Sequence, residues 1–172
     1  MNATNFVKAI KEITPSRKDY EEKAPDLGGF IDILINNHKI EKKDAHTDIP
    51  EKDAVLDLIY NYDVSSLEIQ IFKFNKEDDV TENDKFIFVG WAEAFPFAIS
   101  KQTGEIVEVD WGDPDYTVNY LAKDQETFLE ALVELEKLDQ KRLFDSITDE
   151  EENEFAKKIQ SIIGGKKYQL YQ

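Results

Sequence analysis

Cysteine is absent from this 172-residue chain, which excludes disulfides, thiolate metal sites and thiol nucleophiles and makes a reducing cytoplasm the expected home. Histidine is nearly absent: His38 and His46 are the only two. Both lie in a polar, charged passage where solvated side chains are expected, and nucleophilic triads that need an imidazole base have little to draw on. No apolar run approaches the roughly 18 to 20 residues of a membrane-spanning helix. The start, Met1-Asn2-Ala3-Thr4-Asn5-Phe6, has no basic segment followed by an apolar one, so a soluble chain that is neither exported nor membrane-bound is expected. Basic residues are in short supply as well. Lys and Arg number 21 against 37 Asp and Glu, a formal charge of −16. Such a field repels phosphate backbones, disfavours direct DNA or RNA binding, and draws basic protein partners inward.

What is present suffices for a core. Hydrophobic residues make up 41% and aromatic residues 12% of the sequence, enough for one domain over residues 1–172 without staples. Phe6, Ile10 and Ile13 form the stripe of a first helix, ended by Thr14-Pro15. Ser16 to Asp26 is expected to form a second, short helix, broken at Leu27-Gly28-Gly29. The apolar run Phe30 to Ile35 fits a buried strand or a buried helix, and Asn36 to Asp48 reads as a charged loop. Pro50 suits the first turn of a helix carrying Val55, Leu58, Ile59 and Tyr62 on one face.

A β-rich middle follows. Leu67 to Phe74 alternates with one change of face, predicting a strand with a bulge. Asn75 to Lys85 is a polar tip, and Phe86 to Trp91 reads as a central strand covered on both faces. Phe95, Phe97 and Ile99, then the turn Lys101 to Gly104, then Val107, Val109 and Trp111 predict a hairpin with those last three on one face. After the turn Gly112-Asp113-Pro114-Asp115, Tyr116 to Ala122 supplies a last strand. Asp124 caps a helix with Phe128, Leu132 and Leu135 inward. Thr148-Asp149-Glu150-Glu151 is a capping box for another helix, which carries Phe155, Ile159 and Ile162 and closes at Gly164-Gly165. The tail Lys166 to Gln172 adds an edge strand or frays. The expected fold class is therefore α+β, an antiparallel meander with helices packed against it, with a less defined N-terminal part (1–48) and an additional C-terminal helix (149–163).

Motifs for chemistry are scarce. Gly28-Gly29 and Gly164-Gly165 lack the spacing and the Lys-Ser/Thr of a phosphate loop. His38, Asp44, His46 and Asp48 match no metal-ligand spacing. Asp78 to Asp84 lacks the turn glycine and twelfth-position Glu of a calcium loop. Carboxylate pairs suited to acid/base work are unavoidable among 37, and nothing in the sequence sets one against another. No enzyme, cofactor or metal site is expected. Exposed aromatics beside carboxylates are instead the usual ingredients of a protein-docking patch. Trp91, Glu93, Asp110, Trp111, Asp113, Asp115 and Tyr116 are the candidate partner-binding residues, with Phe95 nearby. Two other readings stay open: a small-ligand or divalent-metal-responsive sensor or enzyme built on the Asp110 to Asp115 turn, and a regulatory scaffold with several weak partners.

The runs Phe88-Val89-Gly90-Trp91, Phe97-Ala98-Ile99, and Thr103-Gly104-Glu105-Ile106-Val107 with Asp110 are joined by Leu121-Ala122 and Phe128-Leu129. Together with Ile49-Pro50-Glu51-Lys52-Asp53, Leu56 and Ile59, this pattern resembles the SUKH superfamily over residues 49 to 135. The resemblance implies an α+β sheet with helices and no catalytic residue. It further implies, for bacterial members, immunity proteins that neutralise polymorphic toxins, often nucleases, by direct binding, and for fungal members regulators of signalling and the cell wall. A basic toxin domain is the partner this would imply, in agreement with the charge.

Overall fold

The computed structural model describes residues 1–170. Helix α1 (Ala3–Ile13) buries Phe6, Val7 and Ile10, and the Asn2 side chain accepts a hydrogen bond from the Asn5 N–H at its start. Helix α2 (Arg17–Lys23) opens with a reciprocal Ser16–Asp19 capping box. A 3-10 stretch, Pro25–Phe30, leads into α3 (Ile31–Asn37), so the apolar run is helical. Of that run only Ile31 is buried, whereas Phe30 is 66% exposed.

The passage expected to be a loop holds a short strand, β1 (Glu41–Lys42), paired antiparallel with β2 (Tyr62–Asp63). Between them lies α4 (Ala54–Asn61). Pro50 is not in its first turn: it sits in the preceding turn, where its carbonyl accepts from Asp53 N–H at 2.8 Å. The start of α4 is set from afar. Buried Gln125 accepts from the Val55 N–H at 2.9 Å and donates to Asp53 Oδ1 at 3.0 Å, taking the role of an N-cap.

The main sheet has seven antiparallel strands: β3 (Glu68–Ile69), β4 (Phe72–Phe74), β5 (Thr81–Glu82), β6 (Phe86–Ala92), β7 (Phe95–Ser100), β8 (Ile106–Val109) and β9 (Thr117–Ala122). Their order is β3-β4-β6-β7-β8-β9, with β5 also pairing β6. The single bulged strand expected over Leu67 to Phe74 is a tight hairpin instead, with Ile69 opposite Phe72 and Gln70 at φ 51° in the reversal. A change of face marked a turn there. The register shifts lie elsewhere, between Phe88 and Gly90 in β6 and at two points in the β8–β9 pairing.

The inner face of the sheet carries Ile69, Phe72, Phe74, Val89, Phe97, Ile99, Ile106 and Leu121, which share one core with residues of α1, α4, α5 (Gln125–Phe144) and α6 (Asp149–Ile163). Phe128 of α5 meets the rings of Phe72 and Phe97 at centroid distances of 5.6 and 5.4 Å. Helix α5 is capped by Asp124 and buries Phe128, Leu132 and Leu135, as their spacing predicts. Helix α6 has the Thr148–Glu151 capping box and ends at Gly164 with φ 114°; it buries Ile159 and Ile163, while Ile162 is only partly covered. The outer face has a smaller cluster of Phe86, Ala98, Val107 and Val109 with Phe88 against it, and among the described residues no α-helical residue joins it. Strand β6 is thus central, with deep cover along its inner face and, on its outer face, cover at Phe86 that gives way to half-buried Phe88 and exposed Trp91.

The described part of the tail lies along β9 without forming a ladder. Gln169 N–H donates to the Tyr120 carbonyl at 2.8 Å, and Tyr168 and Leu170 are buried. Tyr171 and Gln172, part of the predicted edge strand, lie outside the described residues. Among the described residues no helix is long and apolar enough to cross a membrane.

Candidate functional site

On the outer face, where among the described residues no α-helical residue joins the buried cluster, the sheet forms a cleft of about 470 Å³. Phe88, Trp91 and Pro96 line it from the strands, Asp110, Trp111 and Pro114 from the β8–β9 loop, and Asp79 from the 3-10 turn ahead of β5. Trp91 reaches it because of the register shift after Phe88. Strict alternation from Phe86 and Phe88 would send residue 90 outward and residue 91 into the core. The shift reverses this, so Gly90 backs onto the ring of Phe97 and the indole of Trp91 turns outward.

Trp111 was expected on a strand, in line with Val107 and Val109. Strand β8 stops at Val109 instead. Asp110 Oδ1 accepts from the N–H groups of Gly112 at 2.7 Å and Asp113 at 3.0 Å, an Asx turn that competes with the ladder. The result leaves Trp111 70% exposed, with its ring centroid 5.0 Å from that of Trp91 and the planes tilted by 44°. Here the structure unites three of the predicted contact residues, Trp91, Asp110 and Trp111.

The other candidates separate. Asp113 serves the loop itself, its Oδ1 accepting from Asp115 N–H at 3.2 Å and its carbonyl from Tyr116 N–H at 2.9 Å. Asp115 is ion-paired with Lys85 at 3.5 Å, and Tyr116 is exposed outside the cleft. Glu93 does not join this site. It occupies the β6–β7 turn with φ 55° and lines a different groove of about 500 Å³, on the inner side of the sheet, with Ile71, Phe95, Glu108 and Val118. Phe95 goes there too because it shares the face of Phe97. Glu108, half buried in that groove, has its carboxyl pushed up by burial against a smaller opposing effect of Asn119.

The two histidines part company. His46 is solvated as expected, 3.2 Å from Asp48. His38 is not, because α3 carries it against α5. Its side chain is 7% exposed, Nδ1–H donates to the Leu34 carbonyl at 2.7 Å, and Nε2 lies 2.9 Å from Glu136 Oε1, off the straight hydrogen-bond line. Burial alone would push its pKa down, but the Glu136 carboxylate, the Leu34 carbonyl and Asp139 outweigh it and raise the value above 6.5. Asp139, joined to Gln70 at 3.0 Å, is pushed up by burial and by Glu136. No local signal in the sequence marks this couple, since its members lie far apart in the chain.

Glu105, in the Thr-Gly-Glu turn, is a structural anchor. It accepts from Thr103 and from the Tyr168 hydroxyl, each at 2.8 Å, and pairs with Lys167, fastening the tail to the β7–β8 hairpin. Burial works to raise its pKa, yet these partners hold it below the ordinary value. Among the described residues no group of three or more His, Asp or Glu side chains is placed to hold a metal ion. Neither family models, nor curated proteins, nor solved structures yield a match to this chain.

Proposed function

We propose that the chain is a non-catalytic docking protein of the cytoplasm that binds a basic polypeptide across the outer face of its sheet. In keeping with the SUKH resemblance, the partner is a bacterial toxin domain, such as a nuclease, that the bound chain neutralises. The observation that carries this reading is the exposed Trp91–Trp111 pair, set on the sheet face opposite the α-helical core, in a cleft whose charged lining residues, Asp79 and Asp110, are both acidic. Burying an aromatic side chain contributes about 1.5–3 kcal/mol, and the formal −16 charge speeds the approach of a basic surface. A nuclease must be basic to hold phosphate, so it presents the complementary field.

The test is surface plasmon resonance with a basic toxin domain encoded beside this chain. Replacing both Trp91 and Trp111 by Ala is expected to weaken binding at least about 100-fold, or roughly 1.4 kcal/mol for each ring. The association rate is expected to fall steeply between low and physiological salt. Unchanged affinity in the double variant, or association indifferent to salt, overturns the proposal.

A further inference from the structure

We infer that the outer cleft is a guanidinium site, which seats one arginine side chain of the partner against the open face of Trp111, with Asp79 and Asp110 as its counter-charges. This rests on the reading of the cleft as the docking face and names what enters it. The two indoles are already in contact at 5.0 Å, so no third plane fits between them and the ligand stacks on the outer face of Trp111. Asp110 is fixed in place, because its Oδ1 holds the Gly112 and Asp113 N–H groups. Among the described residues Asp110 Oδ2 and the whole Asp79 carboxylate have no partner. Of the nearby lysines, Lys73 pairs with Glu68 at 3.0 Å and Lys85 with Asp115 at 3.5 Å, while Lys76 lines a separate pocket.

The occupant therefore has to offer a cation and a flat surface together. An apolar plug would leave two carboxylates without partners in a drying interface, and an anion would be repelled. Lysine supplies charge but is compact and strongly hydrated. Arginine is planar, loses its water more readily, stacks on indole and offers forked donors to carboxylates. The 470 Å³ of space exceeds a guanidinium alone and takes the methylene stem with the flanking backbone.

Trp91 and Trp111 are the only tryptophans in the sequence, so indole signals report on this cleft alone. The probes are the acetylated, amidated peptide Gly-Ser-Arg-Ser-Gly and its counterparts with lysine and with citrulline, the neutral isostere of arginine. Indole N–H resonances are followed through each titration. Saturable millimolar binding is expected for arginine, at least about fivefold weaker binding for lysine, and none for citrulline. Trp111→Ala is expected to abolish binding, and Asp110→Asn and Asp79→Asn to weaken it severalfold; the Asp79 side chain makes no hydrogen bond within its turn, so its variant remains informative if Asp110→Asn disturbs the loop. Equal responses to arginine and citrulline, or no saturation with arginine, overturn the inference. If the toxin domain still depends on the tryptophans in that event, the docking reading survives. Arginine binding that disappears in Trp111→Ala supports the guanidinium site even where toxin association ignores both tryptophans, an outcome that removes the docking reading instead.

Discussion

His38 joins the N-terminal helical layer to α5 through Glu136, and both side chains lie almost wholly out of solvent, 7% and 5% exposed. Because its folded pKa is raised, the proton stabilises the fold, and that contribution is complete below the unfolded value near 6.5. As pH rises past that value the unfolded chain releases the proton first, and the contribution disappears by the time the folded pKa is passed. The loss amounts to roughly 1.4 kcal/mol for each unit separating the two values. Glu136, Asp139 and Tyr20 all face this pocket, and Asp139 and Glu136 favour the charged ring. Urea unfolding of the native chain from pH 6 to 9 is expected to show stability falling over this window. The same series on His38→Asn is expected to be flatter, from a lower starting point because Glu136 loses its cation. Parallel curves for the two proteins would refute the role of His38.

Gly90 does for the sheet what His38 does for the helices. A Cβ there would overlap the Lys73 carbonyl oxygen and the Phe97 ring, both fixed in the sheet core. Gly90→Ala is expected to cost about 2–4 kcal/mol in chemical denaturation and to change Trp91 fluorescence, since relief requires moving the register shift that turns Trp91 outward. At Gly29 an added Cβ meets nothing within 4 Å, so Gly29→Ala is expected to stay within about 0.5 kcal/mol. Equal costs at both positions would show that the shift is not held by packing. The same local-versus-distant division explains which elements were legible in the sequence. The stripe of α1, the Thr148 capping box and the strands from Phe86 to Ala122 are written in neighbouring residues, and they stand where the pattern places them, except that β8 ends at Val109, short of Trp111. The α4 start is not, because its cap comes from Gln125, 70 residues away from Val55. Period-two alternation also reads alike on both sides of a tight reversal, which hid the β3–β4 hairpin. At the site, Trp91 and Asp110 were visible as types, but the union of Trp91 with Trp111 depends on a register shift and an Asx turn that no spacing rule contains.

At the scale of the whole molecule, 37 acidic residues against 21 basic ones leave 16 negative charges in excess. Many ion pairs join exposed side chains, such as Lys8–Glu12 and Lys18–Glu22, and each is worth about 0–1 kcal/mol and is screened by salt. The unpaired carboxylates repel one another over the whole surface, and that repulsion is screened as well. With so many carboxylates unmatched, relief of repulsion outweighs the loss of exposed pairs. Raising sodium chloride from about 20 to 300 mM, a change that shortens the Debye length several-fold, is therefore expected to raise the thermal midpoint by about 2–4 °C, equivalent to roughly 1 kcal/mol for a domain of this size. Under the docking proposal the same titration is expected to slow association with a basic partner, so that stability and binding move in opposite directions along one axis. A thermal midpoint that falls with salt would mean that the exposed pairs, and not the surplus carboxylates, govern the surface, and long-range attraction would then lose its footing as the means by which the partner is drawn to the sheet.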